Sequence, residues 1–179
     1  MKKTITYLVF YFWFCTGVHG QEIQAVKYKT SFGVGFGLDY GGLGGRLNYR
    51  PIDQINIFGG LGSNFIDVAY NFGAGYIRTF RKGQVDIFLN AMYGYNAVIN
   101  FSGSSPIKKT YYGPSIGFGE NIYLKRHPKM FVSAELIVPF RSQQFKDDFN
   151  SLRSNPQIKI ANPLPFLASA GFHFVLSKN

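Results

Sequence analysis

The stretch Ser31–Tyr40, with the sequence SFGVGFGLDY, alternates at every position between a large apolar side chain and a small or polar one. Successive side chains of a β-strand point to opposite faces, so this stretch predicts a strand with one bulky apolar face and one nearly empty face. No stretch after Val26 shows a convincing helical period over about ten residues. The same period of two recurs in seven later segments, at 46–50, 55–62, 68–76, 85–96, 112–124, 131–140 and 166–176.

The connections between these eight candidate strands differ in length. Those after the second, fourth and sixth strands are tight turns, whereas loops 100–109 and 141–163 follow the fifth and seventh. Transmembrane barrels have short periplasmic turns and longer external loops. The connections after the first and third strands are also short, so the asymmetry is partial. The pattern predicts an all-β, eight-stranded antiparallel up-and-down transmembrane β-barrel with its even-numbered turns in the periplasm.

Residue size indicates which face of the predicted barrel points outward. The interior of an eight-stranded barrel is only wide enough for side chains to fill it. Glycine and polar groups suit that space, and rows of Phe, Tyr, Leu and Ile do not. Lipid would solvate those rows, whereas water would not. A soluble lipocalin-like ligand-binding barrel is the alternative, and it would place the apolar rows inside.

Two details of the outward face need explanation. Tyrosines near strand ends are expected to form interfacial aromatic girdles, namely Tyr40, Tyr49, Tyr76, Tyr95 and Tyr112. Glu120 falls on the predicted lipid face, and Pro114 also disturbs the pattern. We expect a β-bulge near Gly117–Gly119 to turn Glu120 inward.

The N-terminus has the features of an export signal. Lys2 and Lys3 precede a mostly apolar run, and residues 1–20 are predicted to be a signal peptide cleaved between Gly20 and Gln21. Residues 21–179 would then be one barrel domain. The alternative is a retained membrane-spanning helix, for which the run is somewhat short. The only cysteine, Cys15, lies in this segment, which excludes disulfides and thiolate chemistry from the mature chain.

The mature chain is basic, but its charge pattern argues against nucleic acid as a partner. Without Lys2 and Lys3, 17 basic and 9 acidic residues remain, a net charge of about +8. The basic residues are scattered or lie at turns, and no basic stripe alternates with exposed aromatics.

Three glycine-rich motifs carry a family resemblance. The Gly33–Gly37 repeat, Gly113–Gly119 (GPSIGFG) and Ala170–Phe174 (AGFHF) resemble the small outer-membrane β-barrel domains of Bacteroidetes-type bacteria, whose broader relatives are the OmpX- and OmpA-like barrels. The resemblance covers roughly residues 27–177 and specifies fold better than activity. It implies a monomer in the outer membrane of a Gram-negative bacterium, with outer-membrane lipid and the barrel-assembly machinery as partners. Such chains often end on an aromatic residue, whereas here Val175–Asn179 follow Phe174.

The inward-facing polar residues are the main candidate for a site. This set consists of Arg46, Asn48, Arg50, Asn56, Asn71, Asp86, Asn90 and Glu135. Charges in a narrow, poorly hydrated interior must be paired and hydrogen-bonded. We therefore interpret the set as a structural network that fills the lumen, in which Glu135 pairs with Arg46 or Arg50. The alternative is a polar pore or binding site.

Signals for catalysis or metal binding are weak. Ser169 and His173 share a face but are four residues apart, about 13 Å along a strand, too far for a nucleophile–base pair. The histidines have no metal-ligand spacing, and no cofactor is expected. Loop 141–163 is the best place for recognition, and the spacing of Phe145, Phe149 and Leu152 allows a short amphipathic helix there.

The predicted function is therefore that of an outer-membrane protein, not an enzyme, with a structural or surface-interaction role and a lumen filled by side chains. Three alternatives remain open at this point: a narrow channel for small solutes, a lipid A-modifying enzyme and the soluble lipocalin-like barrel.

Overall fold

The computed structural model describes residues 28–80, 84–101, 107–154 and 161–178. The predicted signal peptide and its cleavage site at Gly20 and Gln21 lie outside these residues. The described chain is dominated by eight strands: β1 (Tyr28–Gly37), β2 (Gly42–Ile52), β3 (Ile55–Ser63), β4 (Val68–Phe80), β5 (Val85–Phe101), β6 (Ile107–Leu124), β7 (His127–Pro139) and β8 (Leu167–Lys178).

The strands form one closed antiparallel barrel in which each strand pairs with the next and β8 pairs with β1. The predicted all-β, eight-stranded, up-and-down barrel is therefore confirmed. Two-residue turns join β2 to β3 and β6 to β7. We call this end of the barrel, which also holds the start of β1 and the end of β8, the turn end. The opposite end is the loop end.

The large apolar side chains point away from the barrel axis. Phe72, Leu89, Phe118 and Leu136 lie on four different strands, and each is at least half exposed. The intervening positions face the interior and are mostly glycine, polar or aromatic residues, with a few buried apolar ones such as Met92 and Ile137. The apolar rows do not converge on a shared interior, as a soluble ligand-binding barrel would require.

The predicted bulge near Gly117–Gly119 is wrong. β6 keeps an unbroken register there with both neighbours, and Glu120 pairs with Ile87 of β5 and Ala134 of β7. Glu120 therefore stays on the outward face, where it is half-buried. Glycine fits a regular strand as well as a bulge, so the glycines did not require one. Glu120 also lies near the turn end, where a carboxylate can reach water.

The first strand is shorter than the alternation predicts. β1 ends at Gly37, and Leu38–Tyr40 form a 3-10 turn whose three side chains are all buried inside the barrel. Gly37 (φ +133°) and Gly41 (φ +71°) have backbone angles that other residues rarely adopt, and they redirect the chain inward. We call Leu38–Gly41 the inward turn.

Two of the five predicted girdle tyrosines are therefore misplaced. Tyr40 belongs to the inward turn and is fully buried. Tyr95 follows Gly94 (φ +157°) at a register irregularity and packs against an interior cluster that includes Leu38 and Met92. The remaining three keep outward positions: Tyr49 and Tyr76 are exposed, and Tyr112 is half-buried beside Tyr70, with 5.0 Å between ring centroids.

A helix covers a ribbon that rises above the loop end. Residues 97–101 of β5 pair only with residues 107–111 of β6 and form a two-stranded extension. Helix α1 (Gln143–Arg153) begins at Ser142, whose hydroxyl oxygen accepts a hydrogen bond from the Phe145 amide. Phe145 and Leu152 are buried against the ribbon, which confirms the helix predicted in loop 141–163. No helix among the described residues is long and apolar enough to cross a membrane.

Candidate functional site in the barrel lumen

The inward turn fits into the lumen because glycines surround it. A Cβ atom placed on any of five wall residues would collide with the turn: on Gly60 with Asp39, and with Tyr40 on Gly35, Gly44, Gly62 and Gly171. These glycines belong to β1, β2, β3 and β8, so the wall is thin on four of the strands that face the turn. The strand face on which the sequence places glycine therefore leaves room in the lumen for a segment of the same chain.

Arg46 holds the inward turn by its charge. Its guanidinium donates from Nη1 to Asp39 of the turn and to Glu135 Oε2 of β7, at 3.3 Å from the latter. Its Nε donates to Asn48 Oδ1 at 3.0 Å. The guanidinium carbon of Arg46 lies 3.9 Å from the centre of the Phe58 ring. Arg46, Asp39 and Glu135 are all at least 96% buried.

The two carboxylates beside Arg46 have further donors. Asp39 accepts a hydrogen bond from the Ser169 hydroxyl of β8. Glu135 Oε1 accepts one from Asn90 Nδ2 at 3.0 Å. Each charge in this cluster is thereby both paired and hydrogen-bonded, which a buried charge requires. The predicted pairing of Glu135 is thus found with Arg46, and Arg50 pairs elsewhere.

Arg50 forms a second ion pair nearer the turn end. Its Nη2 donates to Asp86 Oδ2 at 2.6 Å, and its guanidinium carbon lies 3.8 Å from the centre of the Tyr28 ring. Asp86 also accepts from the Tyr123 hydroxyl at 2.8 Å and from the Thr79 hydroxyl at 2.7 Å. This cluster ties together β1, β2, β4, β5 and β6.

Asparagine amides connect the charged clusters to the wall. Asn48 accepts from Asn56 Nδ2 at 3.2 Å and donates to Ser31 Oγ at 3.2 Å. Asn71 Nδ2 donates to the carbonyl oxygens of Leu38 and Tyr95, both at 2.8 Å, so it holds the backbone of the inward turn. All eight residues of the predicted polar set are therefore buried in the lumen, and each makes at least one polar contact there.

Sequence reasoning missed several members of this network, among them Asp39, Tyr40 and His173. The Tyr40 hydroxyl lies 2.5 Å from His173 Nε2, and Asn48 Nδ2 donates to His173 Nδ1 at 3.2 Å. This arrangement fits a neutral imidazole with its proton on Nε2. The His173 ring stacks on Phe131 with 4.7 Å between centroids. The glycine pair Gly41–Gly42, directly after Tyr40, was the available signal that the chain leaves the sheet there.

One space inside the lumen is lined by Asn48, Asn56, Asn121, His173 and their neighbours. It has a volume of about 10 Å³, which corresponds to about one water molecule. Ser169 bonds to Asp39 and to the Phe36 carbonyl at 3.1 Å, and His173 bonds to Tyr40 and Asn48. Neither arrangement prepares a nucleophile. Within the described segments, no three His, Cys, Asp or Glu side chains are placed to hold a metal ion.

The ribbon and α1 together form a second candidate surface, which we call the platform. Lys109 Nζ and the Tyr111 hydroxyl both donate to Asp148 Oδ2, at 2.8 and 2.6 Å. These hydrogen bonds, first from Lys109 and then from Tyr111, lower the pKa of Asp148. A groove of about 290 Å³ runs beside α1 and is lined mainly by apolar residues, among them Ile99, Phe101, Phe149 and Pro163.

The fold and the lumen define an eight-stranded antiparallel barrel whose interior holds a network of paired polar side chains. Such a barrel is consistent with a small barrel of the OmpX kind. No family model, curated protein or solved structure matches the chain. The structure itself is therefore the basis for any assignment of function.

The tight fit between Gly60 and the inward turn can be tested by substituting Gly60 and its neighbour on β3, Gly59. We expect Gly60→Ala to lower the free energy of unfolding by about 1–3 kcal/mol, because a methyl group there would meet the Asp39 backbone. Gly59→Ala is the matched control, since its Cβ would have only the Asn71 carbonyl oxygen nearby, at 4.0 Å. Guanidinium unfolding of the protein folded in detergent micelles measures both. Equal stabilities of the two variants would refute the tight fit.

The ion pairs of Arg46 predict a large effect of removing its charge. Arg46→Met would leave Asp39 and Glu135 buried without a cation, and we expect a loss of about 3–5 kcal/mol in unfolding free energy. The exposed Lys29→Gln variant should change the unfolding free energy by less than about 0.5 kcal/mol. The same unfolding measurement compares them, and wild-type stability in Arg46→Met would show that the cluster is dispensable.

Proposed function

We propose that the chain is an integral outer-membrane protein of a Gram-negative bacterium, with a closed lumen and a structural or surface-interaction role. The observation that carries this proposal is the inverted distribution of side chains, with apolar residues outside and paired polar residues inside. Among the described residues, 28 large hydrophobic side chains are exposed. Soluble monomers rarely expose an apolar patch larger than a few hundred Å².

The backbone is also suited to a bilayer. A membrane-spanning sheet must satisfy every backbone hydrogen bond internally, and closure of β8 onto β1 removes the free edges. Outer-membrane lipid would solvate the exposed rows, and the barrel-assembly machinery would insert the chain. The resemblance to Bacteroidetes-type barrels agrees with this assignment. A closed barrel wall, in which each strand is paired on both sides, also supports a monomer.

The ends of the barrel support one orientation. Short turns face the periplasm in barrels of this kind, so we place the turn end there and the platform outside the cell. The platform is then the surface through which a partner would be contacted, and loop 141–163 contributes α1 to it. We do not propose nucleic acid as a partner, because an exported surface protein does not meet it in this compartment.

The filled lumen weighs against the alternative functions. A channel needs a continuous water-filled path, and the inward turn with Arg46, Asp39 and Glu135 occupies the loop-side half of the lumen. A lipid A-modifying enzyme would need a nucleophile beside a base, whereas Ser169 and His173 have separate partners. We therefore propose no catalytic role.

Orientation can be tested by cysteine labelling, because Cys15 is the only native cysteine. In a Cys15→Ser background, Lys146→Cys on α1 should react with a membrane-impermeant maleimide on intact cells. Lys125→Cys, in the turn between β6 and β7, should react only after the outer membrane is permeabilised. Both residues are exposed, so burial does not confound the comparison. Altered gel mobility on boiling confirms that each variant is folded. Labelling of both sites in intact cells, or recovery from the soluble periplasm, would contradict the proposal.

The closed lumen predicts that the protein does not conduct ions. The wild-type protein in planar lipid bilayers should give no steady unitary conductance, because the charged clusters and the inward turn fill the interior. A general porin inserted by the same procedure serves as the positive control. Reproducible current steps that grow with salt concentration would favour the channel instead.

A further inference from the structure

Six exposed cations surround the turn end of the barrel. Lys29 and Lys178 lie near the ends of the barrel's first and last strands, Arg78 lies on β4, and Lys125, Arg126 and Lys129 surround the turn between β6 and β7. We call these six residues the basic ring. Among the residues that the structure describes, none of the six takes part in an ion pair. The described acidic residues on the outside of this end are Asp53 and Glu120.

The charge at the loop end is more balanced. Its five described cations are accompanied by three acidic residues, Asp67, Asp147 and Asp148. Lys109 is paired with Asp148, and Arg141 donates to the Leu164 carbonyl oxygen at 2.5 Å. The larger excess of positive charge therefore lies at the turn end, where six described cations accompany two described acidic residues.

The basic ring directly adjoins the exposed apolar rows. On β4 the outward face runs from Tyr76 through Arg78 to Phe80, and the Arg78 guanidinium carbon lies 5.5 Å from the centre of the Phe80 ring. On β8, Leu176 precedes Lys178 with the same spacing. Aromatic rings and long cationic side chains occur together where hydrocarbon meets headgroups. In the membrane location proposed above, these cations would lie at the depth of the lipid phosphates.

We propose that the basic ring binds the phosphate groups of anionic phospholipids in the membrane leaflet at the turn end. The proposal rests on the membrane location proposed above. A ring of cations that follows the barrel wall matches a ring of lipid headgroups around it. Arginine and lysine both bind phosphate oxygens, arginine through paired N–H donors.

The lipid preference of the folded protein tests this proposal. The protein is inserted into phosphatidylcholine vesicles that carry spin-labelled phosphatidylglycerol or spin-labelled phosphatidylcholine, and electron spin resonance gives the relative association of each. Each cation near a membrane surface contributes about fivefold to binding of anionic lipid. We expect the wild-type protein to prefer phosphatidylglycerol, and added salt to weaken that preference.

A charge-matched pair of variants locates the effect. Arg78→Gln, Lys125→Gln and Lys129→Gln together should lower the preference for phosphatidylglycerol at least about tenfold and leave association of phosphatidylcholine unchanged. Lys108→Gln, Lys146→Gln and Arg153→Gln remove the same charge from the platform and should change the preference by less than about twofold. The single variant Lys125→Gln provides a second measurement if the triple variant does not fold.

The outcomes separate this inference from the proposed function. Insertion of the wild-type protein without a preference for phosphatidylglycerol would overturn the basic ring as a lipid site and leave the membrane barrel intact. An equal loss of preference in both triple variants would also overturn it, because overall charge would then be the cause. Failure of the wild-type protein to insert into any vesicle would overturn both.

Discussion

The ion pairs of Arg46 with Asp39 and Glu135 are the interaction on which the closed lumen depends. They join the inward turn to β2 and β7, and the Ser169 hydroxyl adds β8. Three charged groups at 96% burial or more are costly unless each is paired, so the position of the turn and the position of the arginine determine each other. The glycines on the surrounding strands are a consequence, because no larger side chain leaves room for the turn. Polar contacts thus determine the arrangement of this interior, whereas apolar packing does so in most soluble domains.

That polar interior explains why the outer surface has to be apolar. A barrel of eight strands encloses little volume, and here the inward turn and two charged clusters use it. Phe72, Leu89 and Phe118 have no interior to enter, so they stay exposed on the outer surface. In the proposed outer-membrane location, lipid would bury them over the whole circumference. The same constraint separates this chain from a soluble ligand-binding barrel, in which the apolar side chains would fill the interior.

Alternation in the sequence predicted the eight strands, their order and the outward face, because a period of two is a local property of each strand. It also placed Arg46, Arg50 and Glu135 on the same side of the wall, which predicted that Glu135 pairs with one of the two arginines. The inward turn could not be predicted in this way: Leu38 and Tyr40 continue the alternation, and only the positive φ angles at Gly37 and Gly41 move them into the lumen. Glu120 shows the reverse error, since its charge suggested an irregularity that the continuous register of β6 does not contain. Both wrong predictions concern the path of the backbone, which the pattern of side chains alone does not determine.

The loop end of the barrel carries a folded structure of its own above the wall. Beyond the wall, residues 97–101 and 107–111 form only a two-stranded ribbon, and an isolated ribbon of this kind is at best marginally stable in water. Helix α1 stabilises the ribbon, because Phe145 and Leu152 pack against Ile99 and Tyr111. Asp148 of the helix also forms an ion pair with Lys109 of the ribbon. The platform is therefore a folded surface with its own small core. A partner that binds there would meet a preformed groove and would not have to order a loose loop, which reduces the entropic cost of association.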